Sequence, residues 1–198
     1  MDKAFQDFYA DNFSHCYGCG KHNPDGHQLK SYWDGDDTVA RYTPKPIYSG
    51  GVPNHVYGGL IASLLDCHGT ASAAAFIYRD LSIEMGTSEE PIRCVTASLK
   101  VEFRRPTPMG TELTVQGKLR ELDGRKVWVD LSLSANGEVC ATGEMLAIRF
   151  KAETYMPVAI RLAVVGLAFF LLRIGAHTVS FAMTAGARHR CGSDARAS

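Results

Sequence analysis

Residues 56–78 are apolar on almost every side and carry a single carboxylate, and no other feature so narrows the folds open to this chain. Leu60, Ile61, Leu64 and Leu65, followed by the alanine-rich run 71–75, recur at helical spacing, so the segment is expected to be one long helix with most of its surface buried. Gly58 and Gly59 open it. Their bare backbone leaves the first N–H groups approachable, and a helix N-terminus offers unpaired donors and about half a positive charge to an oxygen gaining negative charge. This makes a candidate oxyanion site. Asp66 sits in the second or third turn, where a carboxylate is tolerated only when paired or put to use. Thr70, four residues on, shares its face and is expected to hold it through the hydroxyl.

Asp66 lies eight residues beyond Gly58, roughly 12 Å along the axis, so the two cannot act on one atom within one helix. Two such helices packed antiparallel about a twofold axis would set Asp66 of each beside the glycines of the other, giving two equivalent sites at an isologous interface. A buried helix whose Asp66 caps a neighbouring backbone or faces solvent fits the same residues.

The remainder of the first 150 residues is sheet-like. Residues 4–14 read as a short helix with an aromatic stripe, Phe5, Phe8, Tyr9 and Phe13, that serves packing. Residues 28–33 and 38–42 read as short strands across a turn at 34–37. The segment 44–53, broken by prolines and glycines, is a loop that delivers Asn54 and His55 to the mouth of the helix. From Arg93 to Arg104 the pattern alternates, with Val95, Ala97, Leu99, Val101 and Phe103 expected on a buried face. Residues 112–122, 126–134 and 139–150 follow as strands, the last two joined by Asn136-Gly137, a strong hairpin signal. The expectation is four consecutive strands in an antiparallel meander, covered by one helix in an α+β design.

Three blocks resemble a known family. Tyr-Gly-Gly-Leu-Ile-Ala-Ser-Leu-Leu-Asp (57–66) is similar to the His-Gly-Gly-x-x-x-x-Leu-x-Asp segment of hotdog-fold acyl-CoA thioesterases of the PaaI-like type, a group that includes the thioesterase superfamily member four-like proteins. Residues 15–26 resemble that family's Cys-x-x-Cys-Gly and Asn-Pro-x-Gly block, and Lys100–Gly110 its strand and turn after the helix. Tyr57 stands where the family has His, and His27 where Leu is more usual. The resemblance spans about residues 15–151 and implies an antiparallel sheet wrapped around one central helix, a homodimer or dimer of dimers, no cofactor, and acyl-CoA hydrolysis in fatty acid metabolism.

A thioester carbonyl cleaved by water needs donors for its oxygen and a base or nucleophile opposite. Gly58 and Gly59 can supply the first and Asp66 of a partner copy the second, as nucleophile or as base for water. No Gly-x-Ser-x-Gly elbow occurs, so Ser63 is expected to pack or to contact substrate. Asn54, His55 and Tyr57 join it as candidate substrate contacts, and Arg104 and Arg105, with Lys100, form a basic cluster suited to the coenzyme A phosphates. Two other classes remain open: acyl-CoA binding without turnover, and an acyl-CoA dehydratase, for which His55 and His68 are the candidate bases.

Twenty-one basic residues balance 21 acidic ones, so nucleic-acid binding by bulk charge has no support. Six scattered cysteines and a polar start without a leader point to thiols in a reducing cytoplasm. Cys16 and Cys19 with His22 and His27 have poor zinc spacing, and the turn at 23–26 already accounts for its proline and glycine; no metal is expected. The chain is read as an N-terminal extension 1–26, a thioesterase domain 27–151 and a tail 152–198. Tyr155–Ser198 holds five Arg, one Asp and no Lys or Glu, with an apolar run of 11 residues at 162–172, too short for a clean membrane span of about 20. Three readings of this tail stay open: weak membrane association, a poorly ordered appendage, and an extension foreign to the domain.

Overall fold

The computed structural model describes residues 3–88 and 91–150, which build six strands and one long helix. The expectations for the tail lie outside these residues. Helix α1 spans Gly58–Asp80, two residues later at each end than the sequence suggested, because Tyr57 is extended (φ −65°, ψ 133°) and forms the cap. Fifteen of its 23 residues are buried, as an all-round apolar helix requires. One antiparallel sheet curls around it: β1 (Ser31–Asp34), β2 (Asp37–Tyr42), β3 (Cys94–Phe103), β4 (Leu113–Asp123), β5 (Lys126–Ala135) and β6 (Glu138–Arg149), in the order β1-β2-β4-β5-β6-β3. This is the hotdog architecture.

Val127, Val129, Leu131 and Leu133 of β5 alternate inward with Val115 of β4 and Met145 of β6, and they meet Leu60, Leu64, Leu65 and Phe76 of α1. Each fully buried Leu contributes about 1.5–3 kcal/mol, so this contact outweighs the cost of the few polar groups the helix carries inward. At Gly69 a Cβ would stand 2.6 Å from Met145 Sδ, so glycine lets the helix sit down on the sheet. Asn136 and Gly137 both have positive φ (52° and 80°), the backbone of the tight turn that the Asn-Gly pair predicts.

The expected meander of four strands is corrected. Only β4, β5 and β6 are consecutive; β3 pairs with β6 at the far edge, and β2 pairs with β4. Residues 104–112, with Pro106 and Pro108, form no hairpin turn but carry the chain from the edge to the middle of the sheet. The expected buried face of β3 is corrected too. A bulge at Ala97 breaks the alternation, and Val95 and Phe103 are 43% and 57% exposed. The first helix is instead two 3₁₀ turns, Phe5–Phe8 and Asp11–Phe13. Its aromatics do pack: Phe5 meets Trp33 edge-on at 5.2 Å, and the Arg93 guanidinium lies over Tyr9 and Phe13. Residues 3–26 thereby join the same compact unit, which ends at Phe150.

His68, fully buried on α1, ties this unit together and is closed off from solvent. Its Nε2 lies 3.2 Å from Thr38 Oγ1, which donates to the Gly117 carbonyl; its Nδ1 lies 2.9 Å from Ser31 Oγ, which accepts from Gln6 Nε2. A neutral ring satisfies this set, and burial pushes its pKa down to about 4 from 6.5. As pH falls between those two values, the unfolded chain binds a proton that the folded chain refuses, so stability falls. Urea unfolding should lose up to about 3 kcal/mol from this residue over that window and level off below it, and His68→Gln should flatten the slope.

Candidate functional site

The residues singled out from the sequence fall into two clusters along α1, one at its start and one about two turns on. Asp66, half-buried, faces a cavity of about 210 Å³ together with Thr70, Tyr9, Arg93, Thr96 and four cysteines, Cys16, Cys19, Cys67 and Cys94. Its Oδ1 accepts from Thr96 Oγ1 at 2.5 Å. The expected partner, Thr70, is corrected: its hydroxyl donates to the backbone carbonyls of Asp66 and Cys67 (3.1 and 3.2 Å), as a helical threonine does when a preceding carbonyl is in reach. Thr96 was not singled out, because only the bulged pairing of β3 brings residue 96 against residue 66.

The cysteines in this cavity come from three places: Cys16 and Cys19 from the N-terminal loop, Cys67 from α1 and Cys94 from β3, its sulfur outside the close cluster of the other three. Residues 14–29 form a loop closed by backbone bonds, Gly20 N–H to Cys16 carbonyl, His22 to Ser14 and Leu29 to Gly18. It rests on α1 so closely that a Cβ at Gly18 would lie 2.1 Å from Cys67 Sγ and 3.5 Å from Ser63 Oγ. Ser63 therefore sits under this loop. Cys16 Sγ lies 3.7 Å from Cys67 Sγ. Hydrogen bonds from the Cys19 thiol and then the Cys67 thiol hold the Cys16 pKa well below a free thiol's, while those donors are pushed up. His22 pairs with Asp11, and His27 packs among Tyr17, Tyr42 and Tyr48, so neither histidine joins the cysteines.

The other cluster surrounds the start of α1. The Tyr57 carbonyl takes the N–H groups of Leu60 and Ile61, and those of Gly58 and Gly59 have no hydrogen-bond partner among the described residues. Gly58 lines an open cleft of about 410 Å³ with Val56, Ile61, Phe103, Arg104, Arg105 and Thr107. Tyr57 is half-exposed and lays its phenol against Gly59, where a Cβ would stand 1.8 Å from the hydroxyl. Asn54 gives its carbonyl to the Met109 N–H, and His55 donates from Nδ1 to the Pro53 carbonyl, so both brace the loop beside the cleft. The basic residues expected to cluster at 100–105 each meet a carboxylate. Arg104 pairs with Glu102, Arg105 with Glu138 at 2.6 Å, and Lys100 with Glu102 and Glu144 at 2.8 and 3.6 Å. Lys100 lies outside the cleft, on the surface shared with Arg120 and Asp130.

Residues 53–142 match the family model described as thioesterase superfamily. A thioesterase superfamily protein from Shewanella loihica PV-4 is 42% identical, with 72% of this chain and 100% of that chain aligned at a TM-score of 0.54. This chain belongs to the thioesterase superfamily. The rat acyl-coenzyme A thioesterase THEM4 is 27% identical over 107 residues, covering 54% of this chain and 40% of that protein, so the match spans about two fifths of the length of that curated relative. A phenylacetic acid degradation-related protein from Ralstonia eutropha JMP134 shares the thioesterase fold at a TM-score of 0.51 and 20% identity, over 62% of this chain and 85% of its own.

The cleft of this superfamily member also holds a residue that sequence reading missed. Thr107 is 2% exposed, and its Oγ1 has no hydrogen-bond partner among the described residues. Only its position after the strand-ending Arg-Arg-Pro hinted at it. A buried hydroxyl left unpaired costs about 1–3 kcal/mol, so Thr107→Val should raise the urea midpoint by the equivalent of about 1 kcal/mol, whereas Thr107→Ser, which keeps the hydroxyl, should not.

Proposed function

We propose that this chain hydrolyses acyl-CoA thioesters, with the Gly58 and Gly59 N–H groups stabilising the carbonyl oxygen and Asp66 of a second copy acting as nucleophile or general base. The observation that carries the reading is the pair of unpartnered N–H groups at the N-terminus of α1, opening on a cleft. Such donors are of most use when they meet an oxygen as its charge develops, and they cost no reorganisation at that moment. Membership of the superfamily fits thioester chemistry, and the acyl-CoA substrate is carried over from the name of the rat relative.

One chain does not hold a complete site on this reading. Asp66 and Gly58 line separate cavities, consistent with about 12 Å between them along the helix. A twofold copy with α1 antiparallel closes that gap. The outer edge of β3 and the exposed Val95 and Phe103, the latter beside Gly58, offer the apolar surface for such a homodimer. Arg104 and Arg105, at the cleft, can turn from Glu102 and Glu138 to the phosphates of coenzyme A, since exposed ion pairs are worth only about 0–1 kcal/mol. The dehydratase alternative loses a candidate base, because both nitrogens of His68 are engaged in the core.

The test is release of free thiol from a panel of acyl-CoA substrates. Asp66→Asn should lower kcat/KM by about a hundredfold or more while leaving the fold intact, and Thr96→Val, which removes one hydrogen bond to the carboxylate, should cost about tenfold. Turnover by Asp66→Asn at the parent rate would remove Asp66 from the reaction. Absence of thiol release from every substrate, with binding retained, would favour an acyl-CoA-binding protein instead.

The shared-site geometry has its own check. Gly58→Val places a side chain against Phe103, whose ring is 3.3 Å from a Cβ there, and should be inactive alone. Co-expressed with Asp66→Asn, it should recover activity, because each heterodimer keeps one site with both parts intact. Heterodimers that form yet stay inactive would refute the arrangement.

A further inference from the structure

We propose that Cys16, Cys19 and Cys67 form a three-thiolate site for a soft d¹⁰ cation, zinc being the natural occupant, with its fourth position open to the cavity that holds Asp66. The three sulfurs all lie within 4.8 Å of one another although Cys67 is 51 residues away from Cys16. A tetrahedral cation with Zn–S bonds of about 2.3 Å sets its sulfurs about 3.8 Å apart, and the Cys16–Cys67 separation is 3.7 Å. A disulfide would need its sulfurs at about 2.05 Å, so the present spacing suits ligation better than cross-linking.

The loop is built for this placement. Gly18 stands where any side chain would collide with Cys67 Sγ, and Gly20 where a Cβ would come within 2.5 Å of the Ser14 and Cys16 backbone, so the glycines flanking Cys19 let it fold back on itself. Cys19 and Cys67 are buried, while Cys16 is exposed and gives an entry path. Packing alone does not require three thiols to converge from two segments, since any small apolar residue fills such space. Three protein ligands with one open position is the pattern of sites that keep room for water or substrate. Because Cys67 adjoins Asp66 and all three cysteines line the same cavity, the cation would dock the N-terminal loop on α1 beside the carboxylate.

The experiment uses the full chain, reduced with a phosphine and freed of metal. Cobalt(II) is the spectroscopic probe and zinc the competitor. One equivalent of cobalt should give intense sulfur-to-cobalt charge-transfer and tetrahedral d–d bands, and one equivalent of zinc should abolish them. Cys16→Ser, Cys19→Ser and Cys67→Ser should each weaken zinc binding by more than about a hundredfold, beyond the loss of an outer-shell partner; Cys140→Ser and Cys191→Ser should not. In the parent chain, free of any folding defect, zinc should protect Cys16 and Cys19 from alkylation. No charge-transfer band, bands that survive in all three variants, or alkylation of Cys16 unchanged by zinc would overturn the proposal.

Discussion

The burial of α1 inside the curl of the sheet is the contact on which everything else in this protein rests. A helix apolar all round has no stable life at a surface, and the sheet supplies the enclosure: Val115, Val127, Val129, Leu131, Leu133, Met145 and Ala147 are all under 5% exposed and belong to one core with the helix. That core fixes the axis of α1, and the axis fixes both candidate clusters, the bare glycines at its start and Asp66 two turns on. A rigid element holds such groups to their geometry more closely than loops would.

The polar residues of α1 are handled in two ways. His68 and Ser72 turn into the protein and are satisfied by Ser31, Thr38 and the backbone, a closed network that ties the β1–β2 hairpin and the N-terminal segment to the helix. Gly117 makes room for it; a Cβ there would meet Thr38 Oγ1 at 2.7 Å and Ser72 Oγ at 3.0 Å. Asp66 points the other way, into a cavity, with one hydroxyl donor. Asp66 and His68, two residues apart on one helix, thus have opposite fates. A group satisfied on every side is structural, whereas a carboxylate with acceptor capacity left over can still act on a ligand.

The outer face of the sheet is a lattice of opposite charges. Arg120 lies between Asp130 and Glu144, Lys100 between Glu102 and Glu144, and Lys118 against Asp37. All are at least a third exposed, so each pair contributes little to stability, and among the described residues the bases named on this face each meet an acid. Positive charge near the cleft reaches a ligand only by leaving its present partner.

The sequence by itself determined the long buried helix and its opening glycines, the Asn-Gly turn and the strand segments from 112 onward, because these follow from local periodicity and backbone preference. It also determined that Gly58 and Asp66 stand too far apart on one helix to share an atom, which is a matter of rise per residue. Only the tertiary structure decided the strand order, since which edge receives β3 depends on pairing between residues 38 to 55 positions apart and leaves no mark in its own alternation. The same pairing brought Thr96 rather than Thr70 to Asp66, as a helical threonine finds a backbone acceptor within its own turn. It set Glu138 and Glu144 of β6 beside Arg105 and Lys100, and it pressed the loop carrying Cys16 and Cys19 onto Cys67, where histidines closer in sequence were drawn off to Asp11 and to an aromatic cluster. Spacing along a chain constrains what one element can do; which side chains meet is decided by packing between elements, where the energy of burial is won.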